Sequence, residues 1–154
     1  MEELHMKRVF LLAVLALCLG LVVVGCRSKS GGLSDTSTGD TAKLAFLNNN
    51  VLFDFDRYNI RPDQVPVIDS KVAYLQDNAS TSAVIQGHAD ERGTEAYNEA
   101  LGDRRAKSAY NYLVNHGISA SRLSTVSYGK DFPVDPAHNE DAWAKNRRAQ
   151  FVLP

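Results

Sequence analysis

Residues 97–113 constrain this chain more than any other stretch. At roughly 100° per residue, Tyr97, Leu101, Ala109, Tyr112 and Leu113 fall in one broad arc, the pattern of a helix with one buried face. Arg105 falls near the middle of that arc, together with Asn98, while Arg104 lies at its edge and Lys107 well outside. An unpaired guanidinium on a buried face is very costly, so Arg105 requires a partner. Its planar fork suits two-point pairing with a carboxylate. Asp90, just beyond the short apolar run 83–87, is the nearest candidate in sequence. Two readings follow. Either Asp90 and Arg105 staple the turn 87–94 to the helix, or they face a small zwitterionic ligand. Helical phase alone leaves both open.

The other elements follow in order. Residues 51–56 alternate as a strand does, with Val51, Phe53 and Phe55 on one side and Leu52, Asp54 and Asp56 on the other. Asp63 reads as a helix cap with Pro66 tolerated in the first turn. Val65, Ile68, Val72 and Leu75 then recur at helical spacing, ending near Asp77 and Asn78. Residues 83–87 form a second strand. The long helix starts near Thr94 or Glu95 and stops at Gly117, a C′ glycine. A strand over 123–128, a short helix over 140–146 and a last strand over 149–153 complete the order β-α-β-α-β-α-β. That order predicts an α+β domain, a small mixed sheet with helices packed on it.

The N-terminus has a separate purpose. Lys7 and Arg8 precede an uncharged run, 9–25, rich in Leu, Val and Ala. It has the length of a long secretory core and falls slightly short of the roughly 20 residues a spanning helix needs. Glu2 and Glu3 are unusual there, which makes Met6 an alternative start. The run ends in Val23-Val24-Gly25-Cys26, a bacterial lipobox pattern in which Cys26 becomes the lipidated first residue. An ordinary signal peptide, or an anchor with an incidental cysteine, is the alternative. Cys18 lies in the removed segment, so no disulfide is expected in the mature chain. Acyl chains on Cys26 would hold the protein in a membrane at about 0.8 kcal/mol per buried methylene. Arg27, where Asp would favour the inner membrane, points to the outer one. Residues 27–43 are small and polar, predicting a flexible tether with a reach of at most about 60 Å. The expected division is 1–25 signal peptide, 26–43 lipidated cysteine and tether, and 44–154 folded domain. The formal charge of −1 over 154 residues gives no footprint for nucleic acid.

Several ordered motifs carry a resemblance. They are Gly87-His88-Ala89-Asp90-Glu91-Arg92-Gly93-Thr94, then Tyr97-Asn98, then Leu101-Gly102-Asp103-Arg104-Arg105-Ala106. Phe53-Asp54-Phe55-Asp56, Val126-Ser127-Tyr128-Gly129-Lys130 and Asn146-Arg147-Arg148-Ala149 support them. Together they resemble the peptidoglycan-binding motif of the OmpA-like domain family, and most of all its peptidoglycan-associated lipoproteins. The resemblance covers nearly all of 44–154. It implies non-covalent binding of the peptidoglycan stem peptide through meso-diaminopimelate, whose side-chain end carries an ammonium and a carboxylate. It places Asp90 on the ammonium and Arg105 on the carboxylate. Phe55, Asp56, Arg57, Leu101 and Arg147 are implied to line the same pocket, with Asn98 and Gly93 supporting its loop. Gly102 stands where related domains often carry Ser, a difference expected to alter little. The implied partners are peptidoglycan, outer-membrane lipid through Cys26, the periplasmic protein TolB and other Tol or outer-membrane proteins. The implied setting is the Tol–Pal system, which acts in envelope integrity and constriction at cell division, with the domain in the periplasm.

Other classes fit less well. Asp54, Asp56, Asp90 and Glu91 could serve as acid and base for glycan cleavage, but no spacing resembles a hydrolase signature. No nucleophile–histidine pair stands out. His88, His116 and His138 are scattered and lack helical metal-ligand spacing. Neither catalysis, nor a metal, nor a cofactor is expected.

Overall fold

The computed structural model describes residues 35–154. The lipobox, Cys26 and the first part of the expected tether lie outside those residues. The elements run α1 (Asp35–Asn48), β1 (Val51–Leu52), a 3-10 turn (Pro62–Gln64), α2 (Val65–Asp77), β2 (Ala83–His88), α3 (Glu95–Asn115), a second 3-10 turn (Ala120–Arg122), β3 (Leu123–Gly129), α4 (Glu140–Asn146) and β4 (Arg148–Val152). The sheet order is β1-β4-β2-β3. β2 pairs in parallel with β3 and antiparallel with β4, and β1 pairs antiparallel with β4. This is the mixed sheet expected from the element order. Among the described residues no helix is long and apolar enough to cross a membrane.

The core lies where the sheet meets α2 and α3. Ile68 and Leu75 of α2, Ile85 of β2, Ala106, Ala109 and Leu113 of α3, and Phe151 of β4 are all buried in one cluster. Two glycines set the separation of α3 from the sheet. A Cβ at Gly87 would lie 1.8 Å from the Gly102 carbonyl oxygen, and one at Gly102 would lie 2.3 Å from Ser127 Oγ and 2.8 Å from the Gly87 carbonyl oxygen. Gly102 is therefore not exchangeable for Ser on this backbone, contrary to the expectation above. The close approach brings the start of α3, and with it the site, down onto the end of β2.

Three further expectations are corrected. The segment read as tether up to Lys43 is helical from Asp35 onward. The last turns of α1 explain this. Phe46 is buried against Tyr74 and Phe151, with ring centroids 4.6 and 5.7 Å apart. Lys71 Nζ donates to the Ala45 carbonyl at 3.0 Å and also to that of Phe46. Once such an end is fixed, each further residue adds a helical bond without repeating the cost of nucleation. The first strand, expected over 51–56, stops at Leu52. Phe53 still donates to the Arg147 carbonyl at 2.9 Å, but the chain then turns, with Arg57 N–H bonded to the Asp54 carbonyl at 3.2 Å. Asp63 does not cap α2. Its carboxylate accepts from Arg61 and from Gln64, and the 3-10 turn begun by Pro62 leads into the helix instead.

Candidate functional site

The site forms where β2 ends and α3 begins. Ala89 N–H donates to the Gly129 carbonyl at 2.6 Å, keeping the chain beside β3 for one residue past the strand. The loop then turns through Gly93, whose φ of 98° suits glycine. Thr94 Oγ1 accepts from Tyr97 N–H at 3.2 Å and caps α3. Asn98 Nδ2 donates to the Arg92 carbonyl, and Lys130 Nζ to that of Gly93, both at 3.0 Å. Asn98 and Gly93 thus shape the loop between β2 and α3.

Arg105 is 0 % exposed, as its helical phase predicts. The direct Asp90–Arg105 bridge is not formed. Arg105 instead donates Nε to the Arg57 carbonyl at 2.8 Å, Nη1 to that of His88 at 2.8 Å and Nη2 to that of Asp54 at 3.1 Å. Three backbone oxygens from two segments converge on one guanidinium. Burial lowers its pKa to about 10, partly opposed by the charge of Asp90, so it stays cationic at neutral pH. A guanidinium has five N–H donors, so three bonds leave two available.

Asp90 is 4 % exposed and serves two other arginines. Arg92 contributes its backbone N–H at 3.1 Å, Nε at 3.2 Å and Nη2 at 2.7 Å. Arg147 Nη1 adds a bond at 3.2 Å. Burial pushes the Asp90 carboxyl up, but the hydrogen bonds from Arg92 and Arg147 outweigh it and hold the group below the usual range. Arg147 is itself fixed by the Phe53 carbonyl at 3.1 Å and Glu140 at 2.7 Å. His88, beside Asp90, is buried with both ring nitrogens unpartnered and stacks on Tyr128 at 5.5 Å. Burial, helped by Arg148, lowers it to about 3.

These groups surround a pocket of about 210 Å³ lined by Phe55, Asp56, Asp90, Arg92, Gly93, Tyr97, Asn98, Leu101 and Arg105. Of the residues expected to line it, Phe55, Asp56, Asp90, Leu101 and Arg105 do. Arg57 and Arg147 do not. Arg57 contributes its backbone carbonyl to Arg105, and Arg147 braces Asp90 from behind. Arg92 and Tyr97 line the pocket without having been singled out. Arg92 lies over the Phe55 ring at 4.0 Å and the Trp143 ring at 4.2 Å, while Trp143 Nε1 donates to Glu91 at 2.8 Å. The Tyr97 hydroxyl donates to Asp56. Asp56 has a φ of 54°, the one positive value at a non-glycine among the described residues. Such a conformation persists where surrounding contacts enforce it. A closed cationic floor, carboxylates beside it and an aromatic rim suit a small group carrying both charges.

The OmpA family model matches residues 52–147. The chain is 45 % identical over 119 residues to the peptidoglycan-associated lipoprotein of Haemophilus influenzae, covering 77 % of this chain and 78 % of that one. It is 37 % identical to the protein of that name from Pseudomonas aeruginosa, covering 90 % of this chain and 94 % of that one. Among solved structures, the peptidoglycan-associated lipoprotein of Burkholderia pseudomallei superposes with a TM-score of 0.68 at 36 % identity, over 71 % of this chain and 93 % of that one. The C-terminal domain of Helicobacter pylori MotB, 20 % identical with a TM-score of 0.64, shares the fold. The chain therefore belongs to the OmpA family and, within it, to the peptidoglycan-associated lipoproteins.

Proposed function

We propose that this protein binds the peptidoglycan stem peptide non-covalently and tethers the outer membrane to the cell wall. It is a binding protein, not an enzyme. The single observation that carries the reading is Arg105: buried in the pocket lining and bound only by carbonyls, with two of its five N–H donors left over. A ligand carboxylate takes those donors in a two-point, charge-assisted contact. The ligand ammonium goes to Asp90. Arg92 is the partner that yields there, since its side chain is 31 % exposed whereas that of Arg147 is 6 % exposed. Meso-diaminopimelate carries both groups at its side-chain end, and its stem apposes Phe55 and Leu101.

Lipid on Cys26 anchors the chain in the outer membrane, with the domain in the periplasm. TolB and the Tol–Pal system, acting in envelope integrity and in constriction at division, are the proposed protein context. Overlap of the TolB surface with the pocket would make the two partners competitive. A pull-down with and without a diaminopimelate peptide checks that point, and full simultaneous occupancy counts against overlap. The binding itself is tested by co-sedimentation with insoluble peptidoglycan. The wild type pellets with the wall and Arg105→Ala stays in solution. Normal pelleting by a folded Arg105→Ala variant would remove the assignment.

A further inference from the structure

Arg104 directly follows the acidic Asp103 on α3 and directly precedes Arg105, yet the three residues meet different surroundings. Asp103 takes Lys107 as its partner at 2.8 Å, one turn along the helix. Arg105 is enclosed by carbonyls. The Arg104 guanidinium makes no hydrogen bond or ion pair among the described residues, and its Nε is buried without a partner. It lies 5.6 Å from the centroid of the Tyr58 ring and 6.0 Å from that of Tyr97. Both rings are largely open to solvent, at 46 % and 45 % exposure. Tyr97 is also a wall of the pocket and donates its hydroxyl to Asp56. The pocket therefore continues outward onto an aromatic ledge with an uncommitted cation between its two rings.

A half-buried guanidinium with a donor shielded from water is a poor resting state, because the shielded N–H lacks both protein and solvent partners. The flanking rings contribute cation–π attraction, which uses none of the in-plane N–H donors. The acceptor that best fits an idle guanidinium is a carboxylate. Continuity with the pocket through Tyr97 makes that carboxylate part of the same ligand.

We infer that Arg104, held between Tyr58 and Tyr97, is a second carboxylate subsite that binds an acidic group of the stem peptide lying outside the zwitterionic group in the pocket. This rests on the proposed binding of the stem peptide. The subsite sets specificity, favouring a stem whose neighbouring carboxylate is free over one in which it is amidated. Arg105 reads the group that enters, and Arg104 reads the chain that remains at the mouth.

The test is calorimetric titration of the mature lipoprotein, in detergent, with two alanyl-glutamyl-diaminopimelate tripeptides. One keeps the glutamate α-carboxylate and the other carries a carboxamide there. The wild type is expected to prefer the free carboxylate by about three- to tenfold, the range of a partly exposed charge-assisted contact. Arg104→Gln should bind both peptides alike, at the level of the wild type with the amidated one. Arg104→Lys, which keeps the charge and loses the planar fork, should retain part of the preference. Circular dichroism establishes that each variant is folded. If the wild type binds both peptides equally, or if Arg104→Gln keeps the preference, the subsite is overturned while stem-peptide binding stands. If the wild type binds neither peptide, both readings fall.

Discussion

Lys71 and Arg105 are both 0 % exposed, and neither has a carboxylate partner. Each is satisfied by backbone carbonyls, and burial lowers each pKa, to about 8 for Lys71 and about 10 for Arg105. Their surroundings differ. Lys71 is sealed between the rings of Phe46 and Phe151, 5.1 and 5.2 Å from their centroids, and joins the end of α1 to the core. Arg105 lies in the lining of a pocket beside two carboxylates. Arg148, 3 % exposed, follows the Lys71 pattern, bonded to the Phe132 carbonyl and Gln150. An inward cation is therefore a common structural device in this fold. What distinguishes Arg105 is its place in the lining of a pocket.

The comparison can be broken most directly at Arg105. Arg105→Met should strand three carbonyls and cost about 3 kcal/mol of stability, read by urea denaturation, and it should weaken stem-peptide binding by about a hundredfold or more. Loss of stability with intact binding would make Arg105 another Lys71. Acid should next act at His88, which stacks on Tyr128 at the end of β2 and is not in the pocket lining. An unfolded histidine protonates near 6.5, whereas His88 resists to about 3, so the unfolded state binds more protons across that window. Stability should therefore fall on the order of a few kcal/mol as pH drops from 6.5 towards 3, and His88→Leu should flatten the slope.

Lys71 gives a signature of the same sign in an alkaline window. Between about 8 and 10.5 the unfolded lysine is protonated and the folded one is not, so its contribution to stability rises with pH through that window. Lys71→Met should abolish this rise, change stability at pH 7 by no more than about 1 kcal/mol, because desolvation and lost hydrogen bonds offset, and leave peptide binding unchanged. The smallest effect belongs to Tyr97→Phe. Without its hydroxyl, Asp56 loses a partner, and binding should weaken about threefold with no change in thermal midpoint.

Much of this was legible from residue order. The phase of residues 97–113 placed Arg105 inside, and the motif 87–94 located the loop that carries Asp90. The same arithmetic applied to α2 sets Lys71 roughly 40° from Leu75, at the edge of the apolar arc, so its burial carried a signal too. What Arg105 bonds to was not legible. Its partners are carbonyls of residues 54, 57 and 88, brought together only when the chain turns after Leu52. Alternation at 51–56 predicted a longer strand because it registers side-chain polarity and not the φ of Asp56. The helix at Asp35 was hidden for a related reason. Its sequence is polar, and its support comes from Phe46 and Lys71 far along the chain.

Titration with two stem tripeptides that differ only at the third residue, diaminopimelate or lysine, tests the central claim most directly. Lysine keeps the side-chain ammonium and lacks the carboxylate that Arg105 is proposed to hold. Saturable binding of the diaminopimelate peptide, with the lysine peptide about a hundredfold weaker, is the predicted result. Equal affinity for the two would contradict the assignment of the free Arg105 donors to a ligand carboxylate.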